Sequence, residues 1–201
     1  MNKAIFIDKD GTLIPDIPHN INPDLIQLEN GVTEGLSLLK KQHYLLIIIS
    51  NQPGIAYGYT KEQEMVQVQK KILQLLKPFQ VSINGFYYCP HHPHGTVKDY
   101  SVNCFCRKPQ PGLLLRAAKD FNIDLSKSWM IGDILNDMEA GKRAGCKTVL
   151  VNNGNERDWE INDLRMPNYE VRNFSDAASF IVNGVEQISI SRPNEQRWAS
   201  M

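Results

Sequence analysis

This chain has no excess of either charge, no long hydrophobic run and few cysteines, and each absence removes a class of function. Its 22 Lys+Arg balance 22 Asp+Glu. A neutral chain lacks the broad positive field that holds nucleic acid or an anionic membrane, although a local basic cluster stays open to it. The strongest apolar run, residues 45–49, is strand-sized and far short of the roughly 20 residues that cross a bilayer. The first eight residues hold one lysine and four apolar residues before an acid, too little for a secretory signal, so a cytoplasmic location is expected. Four cysteines in that compartment read as metal ligands or buried thiols before disulfides. Repeats and low-complexity stretches are missing too. What is there, 201 residues with 42% hydrophobic and 22% charged content, suits one globular domain with a real core.

Short apolar runs alternate with helical patterns. Residues 4–7 and 44–49 are continuously apolar, the mark of strands buried on both faces of a parallel sheet. Further strands are expected over 86–88, 129–131 and 148–151. Helices fit between them, over 33–41, 60–76, 111–122 and 135–144. The second has Thr60 and Gln63 at capping-box spacing, and the third carries Pro111 in its first turn, where proline is tolerated. This alternation predicts an α/β fold with a doubly wound, Rossmann-like parallel sheet. Residues 89–109, rich in Cys, His, Pro and Gly, break the pattern, and 152–168 are polar and irregular. One domain over 1–185 is expected, followed by a polar tail over 186–201.

Ligands of open α/β sheets bind beyond the carboxyl ends of the strands. Asp8, Ser50 and Asp133 each follow an expected strand, so three segments deliver polar groups to one edge. Asp8-Lys9-Asp10-Gly11-Thr12 places two carboxylates two residues apart before a glycine, which alone could be an ordinary turn. Asp133 and Asp137 open a helix, where acids usually serve its dipole. Gathered at one edge, the acids repel each other unless a cation sits between them, and Mg²⁺, a hard ion that prefers oxygen, fits. Ser50 and Asn51 can donate to phosphoryl oxygens, and adjacent Arg107 and Lys108 add two positive charges. Phosphoryl chemistry is the common denominator.

Cys89 and His91, then Cys104 and Cys106 after twelve intervening residues, form a four-ligand set. Thiolates plus imidazole suit tetrahedral Zn²⁺, and a closed set of four is structural rather than catalytic. Such an ion would staple a loop with too few apolar residues to fold alone. Spacing favours His91, with His92 and His94 as competing ligands. Cys146, between Gly145 and a strand, reads as a core residue.

As an ordered set, Asp8-Lys9-Asp10-Gly11-Thr12, then Ser50, then Lys108, then Gly132-Asp133 with Asp137 resembles the four motifs of the haloacid dehalogenase superfamily of phosphotransferases. The resemblance implies that Asp8 is the nucleophile and that Asp10 is the general acid and then the base. It implies Mg²⁺ held by Asp8, the backbone carbonyl of Asp10 and Asp133, with Asp137 behind them. Thr12, Ser50, Asn51, Gln52, Arg107 and Lys108 are the expected phosphate and substrate contacts. Forty residues separate Asp10 from Ser50, too few for a large lid, so a nearly capless enzyme is expected.

Cys89-Pro90-His91-His92-Pro93, Cys104-Phe105-Cys106-Arg107-Lys108-Pro109 and the stretch from Ser50 to Gly58 resemble the heptose 1,7-bisphosphate phosphatases of that superfamily. The histidinol-phosphate phosphatases share the zinc loop and are the alternative. Gly54-Ile55-Ala56-Tyr57-Gly58 and the paired histidines favour the heptose enzymes. Ile134 stands where those enzymes carry a lysine, and residues 15–23 differ from their glycine-tyrosine loop. The expected protein is a phosphoric monoester hydrolase acting as a monomer on a small sugar phosphate, with neither nucleic acid nor membrane as partner. A phospho-receiver signalling domain would leave Asp10 without a task and needs no zinc loop. A zinc-stabilised nucleic-acid binder conflicts with the balanced charge.

Overall fold

The computed structural model describes residues 1–184, so the tail expected over 186–201 lies outside the described residues. The chain forms β1 (Ala4–Ile7), α1 (Val32–Lys41), β2 (Leu45–Asn51), α2 (Pro53–Ala56), α3 (Met65–Leu76), β3 (Gly85–Cys89), α4 (Gly112–Asp120), β4 (Trp129–Gly132), α5 (Leu135–Ala144), β5 (Lys147–Val151), β6 (Tyr169–Val171) and α6 (Phe174–Asn183). All six strands join one sheet in the order β3-β2-β1-β4-β5-β6, with every neighbouring pair parallel. The chain winds outward from β1 to β3, then returns past β1 to build β4 to β6. The direction of winding reverses between β1 and β4, and in such sheets the crevice beyond that point takes the ligand.

The continuous apolar runs are explained by two cores. Ile5, Ile7, Leu46 and Ile48 pack with Leu36, Ile72 and Ala177, which belong to α1, α3 and α6. Ala4, Phe6, Ile47 and Ile49 face the other way, onto Leu114, Ala117 and Ala140 of α4 and α5. Successive residues of a strand point to opposite faces, so a sheet covered on both sides needs apolar residues at every position. Burying each such Ile, Leu or Phe side chain contributes about 1.5–3 kcal/mol.

Several expected boundaries shift. β2 runs through Ser50 and Asn51, because both pair with β3, opposite Tyr88 and Cys89. The helix expected from residue 60 starts as an α-helix at Met65, after a 3₁₀ turn over Glu62–Glu64. Its cap also moves by one residue: Lys61 N–H donates to Glu64 Oε2 at 2.5 Å. The helix expected over 111–122 spans Gly112–Asp120, with Pro111 at its N-cap. Residues 169–183 supply β6 and α6, which the sequence reading did not anticipate; β6 is three residues long and shows no periodicity of its own. Between β1 and α1 the only regular structure is a 3₁₀ turn over Pro23–Leu25, which agrees with a nearly capless enzyme. No helix among the described residues is long and apolar enough to cross a membrane.

Candidate active site

Asp8 leaves the end of β1, and Asp133 leaves the end of the neighbouring β4. Their carboxylates and that of Asp137 place one oxygen each within 4.8 Å of one another, and all three residues are buried. Asp137 sits in the first turn of α5, one turn beyond Asp133. Gly132 allows the close approach: a Cβ there would lie 2.3 Å from Asp137 Oδ2.

Lys108 is the counter-charge. Its Nζ lies 2.6 Å from Asp8 Oδ1 and 2.6 Å from Asp137 Oδ1, and it donates to the carbonyl of Ile49 at 3.1 Å. Burial alone would depress its pKa, but Asp137 and Asp8 outweigh burial and raise it, so the ammonium persists. A pair of hydrogen bonds fixes its backbone. Asn51 Nδ2 donates to Lys108 O, and Lys108 N–H donates to Asn51 Oδ1, both at 3.0 Å. This is the place where the extension of β2 matters, since an asparagine on a strand can only grip a neighbour that the loop brings alongside.

One ammonium does not neutralise three carboxylates. Burial, then Asp137, drives the Asp8 carboxyl well above its ordinary range, with Lys108 opposing. Burial and Asp137 likewise push Asp133 up to about 7, against hydrogen bonds from Asn155 and Thr12. A divalent cation among these oxygens would relieve the repulsion, and the all-oxygen donor set matches Mg²⁺.

Asp10 is held from two sides. Lys9 Nζ lies 2.6 Å from its Oδ1, and Gln52 Nε2 donates to its Oδ2 at 2.8 Å. Gln52 Nε2 also donates to Ser50 Oγ at 2.7 Å, so one side chain couples the ends of β1 and β2. A cavity of about 330 Å³ opens over these groups. It is lined by Asp8, Lys9, Asp10, Asn51, Gln52, Arg107, Lys108 and Asp133, with Ile134 and residues 16–20 forming its outer wall. Thr12, Ser50 and Asp137 lie beneath rather than on this lining; Thr12 Oγ1 donates to Asp133 Oδ1 at 2.9 Å. Among the cavity's cations, Lys9 and Lys108 are paired to acids, whereas Arg107 has no carboxylate partner among the described residues.

The second expected cluster also assembles. Cys89 closes β3, and the Sγ atoms of Cys89, Cys104 and Cys106 lie 3.1–3.4 Å apart. His91 Nδ1 lies 3.3 Å from Cys106 Sγ and 3.7 Å from Cys89 Sγ. Three thiols and an imidazole around one point match tetrahedral Zn²⁺. His92 is engaged elsewhere, its Nδ1 2.9 Å from Tyr57 Oη, and His94 lies beside it. All four cysteines are free, and Cys146 is buried in the core under α5.

Sequence reasoning missed several groups that shape the site. Lys9 stands between the two acids of the motif with no role assigned to it, and only its burial beside Asp10 marks it. Asn153, Asn155 and Glu156 come from the irregular stretch after β5. Asn153 Nδ2 donates to Gly11 O at 2.6 Å, Asn155 Nδ2 donates to Asp133 Oδ2 at 2.8 Å, and Glu156 Oε2 accepts from Leu135 N–H at 2.6 Å. A run of Asn and Gly reads as a turn, and nothing local shows that its side chains reach back to β1 and β4.

Known proteins can be set beside this geometry. A family model described as HAD-hydrolase-like matches residues 105–177. A D-glycero-β-D-manno-heptose-1,7-bisphosphate 7-phosphatase of Pasteurella multocida (strain Pm70) is 41% identical over 182 residues, covering 90% of this chain and 97% of its own. The protein of the same name from Escherichia coli (strain K12) is 38% identical over 170 residues, covering 80% and 89%. The crystal structure of D,D-heptose 1,7-bisphosphate phosphatase from B. bronchiseptica, complexed with magnesium and phosphate, superposes with a TM-score of 0.74 at 22% identity. It covers 91% of this chain and 99% of that one, and shares its fold.

Proposed function

The chain belongs to the D-glycero-β-D-manno-heptose-1,7-bisphosphate 7-phosphatase family of the HAD-like hydrolases, and from that premise we propose that it removes one phosphate from a heptose 1,7-bisphosphate through an aspartyl-phosphate on Asp8. The observation that carries this reading is the buried cluster of Asp8, Asp133, Asp137 and Lys108 at the reversal point of the sheet.

Both described hydrogen bonds to Asp8, from Lys108 Nζ and from Lys9 N–H, fall on Oδ1. Oδ2 is therefore the oxygen we assign to attack phosphorus. As the new P–O bond forms, the bond to the sugar oxygen breaks, and Asp10 gives that oxygen its proton. Asp10 then takes a proton from water, whose oxygen attacks the phosphoryl group and frees Asp8. Splitting one displacement into two lets a carboxylate serve as the first nucleophile, and Asp10, held by Lys9 and Gln52, stands two residues away for both proton transfers. Mg²⁺, held by Asp8, the Asp10 carbonyl and Asp133, would supply charge neutralisation at the transferring phosphoryl group. Lys108, Asn51 and Arg107 line the same space and are assigned to the phosphoryl oxygens and the substrate's second anionic end. Cys89, His91, Cys104 and Cys106 would hold Zn²⁺, which would fix the loop that ends in Arg107 and Lys108.

We read the enzyme as a monomer, because one chain already supplies every group named here, and place it in the cytoplasm on its thiol-rich metal loop, which suits a reducing compartment. The test is phosphate release from heptose 1,7-bisphosphate and from histidinol phosphate, with Mg²⁺, on one preparation. The heptose substrate is expected to have the higher kcat/KM. A tenfold preference for histidinol phosphate, about 1.4 kcal/mol at the transition state, would move the substrate to the alternative while leaving the mechanism intact.

A further inference from the structure

Asp133 is the site carboxylate with both oxygens occupied by neutral donors. Thr12 Oγ1 takes Oδ1 at 2.9 Å, and Asn155 Nδ2 takes Oδ2 at 2.8 Å. Thr12 belongs to the loop after β1, whereas Asn155 arrives from the loop after β5. That second loop is pinned independently of Asp133. Asn152 N–H donates to Val171 O at 2.8 Å, Asn153 Nδ2 donates to Gly11 O at 2.6 Å, and Glu156 Oε2 caps the start of α5 through Leu135 N–H at 2.6 Å. Within the loop, Asn153 Oδ1 accepts from Asn155 N–H at 3.2 Å. Gly11 closes the arrangement: at φ +81 it packs so tightly that a Cβ would lie 2.0 Å from Asp133 Oδ2 and 2.5 Å from Asn155 Nδ2. Three segments therefore meet at one carboxylate oxygen.

We propose that Asn155 is a positioning residue for the Mg²⁺ carboxylate. Its amide fixes the rotation of the Asp133 side chain, so that the remaining lone pairs face Asp8 and the cavity. A carboxylate held by one donor can swing, and each swing removes a ligand; one held at both oxygens presents the same edge at every turnover. The proposal rests on the reading of Asp133 as an Mg²⁺ ligand. Groups that orient a ligand typically contribute 10- to 100-fold in metal affinity.

The experiment is Mg²⁺ titration by calorimetry of the full-length, zinc-loaded protein without substrate. It compares wild type, Asn155→Ala, Asn153→Ala and Asp133→Asn, with the Mg²⁺ dependence of kcat alongside. Asn155→Ala should raise the Mg²⁺ Kd by about 10-fold or more, and saturating Mg²⁺ should recover most of kcat. Asn153→Ala, which unties the same loop from Gly11 and frees Asn155 N–H but leaves the Asn155 amide able to reach Asp133, should move the Kd by less. A Kd within twofold of wild type for Asn155→Ala overturns the proposal, as does an equal shift in Asn153→Ala, which would make Asn155 a mere loop anchor. Unchanged Mg²⁺ binding in Asp133→Asn would instead show that the ligand reading beneath it is wrong.

Discussion

The most informative single change is Asp133→Asn, because the structure gives it opposite effects on stability and on activity. In Mg²⁺-free protein, burial and Asp137 lift the Asp133 carboxyl from 3.8 to about 7. Its native pKa therefore lies above the unfolded one. The stabilising contribution is complete below about pH 4 and is lost as pH rises towards 7. At 1.36 kcal/mol per unit, ionised Asp133 costs the native state about 4 kcal/mol at pH 8. An amide of the same shape removes that cost. It also turns one end into a donor that faces Thr12 or Asn155, and a donor left without an acceptor costs about 1–3 kcal/mol. The net expectation is a gain of about 2 kcal/mol. For a chain of 201 residues that is a rise of about 4–8 °C in Tm. Urea denaturation at pH 8 and pH 5 in Mg²⁺-free buffer measures it. The gain should shrink towards zero at pH 5, where the cost of Asp133 has fallen to about 1.7 kcal/mol and the amide's unpaired donor offsets it, while Mg²⁺-dependent turnover is lost at every pH. A variant less stable than wild type at pH 8, or a difference independent of pH, would refute the account of these carboxylates as crowded and under-neutralised.

Asp8→Asn is expected to abolish turnover, and acid quenching should trap no phosphoenzyme; substantial residual activity would remove the covalent mechanism. Asp10→Asn should retain Mg²⁺ binding in a calorimetric titration, since its backbone carbonyl is the assigned ligand, yet lose on the order of 10²- to 10⁴-fold in kcat. Lys108→Met leaves Asp8 and Asp137 buried without their shared partner, and chemical denaturation without Mg²⁺ should show a loss of about 3–5 kcal/mol at neutral pH. Metal analysis should find about one zinc per chain in wild type and none in Cys104→Ser or Cys106→Ser, with a lower Tm. Four freely titratable thiols in purified protein would count against the zinc loop.

The sequence by itself determined the local features of this protein. Continuous apolar runs at residues 4–7 and 45–49 required a sheet covered on both faces, and β1 and β2 are buried in two cores as those runs demand. Soft ligands at two close-spaced pairs sufficed to mark Cys89, Cys104 and Cys106 with a neighbouring histidine, because metal chemistry constrains residue type as strongly as position. The acids at the strand ends were legible for the same reason: Asp8 and Asp133 owe their place to the strands before them. Tertiary structure decided what distant segments do to one another. Only the parallel order β3-β2-β1-β4 brings Lys108 onto Asp8, a hundred residues away, and Gln52 onto Asp10. Of three neighbouring histidines, the turn after β3 brings His91 to the thiols, while His92 lies against Tyr57. Asn155 gave no signal, because its partner lies 22 residues back, across α5, β5 and a loop. A side chain whose role is to orient another carries no pattern of its own, and its meaning exists only once the chain has closed around it.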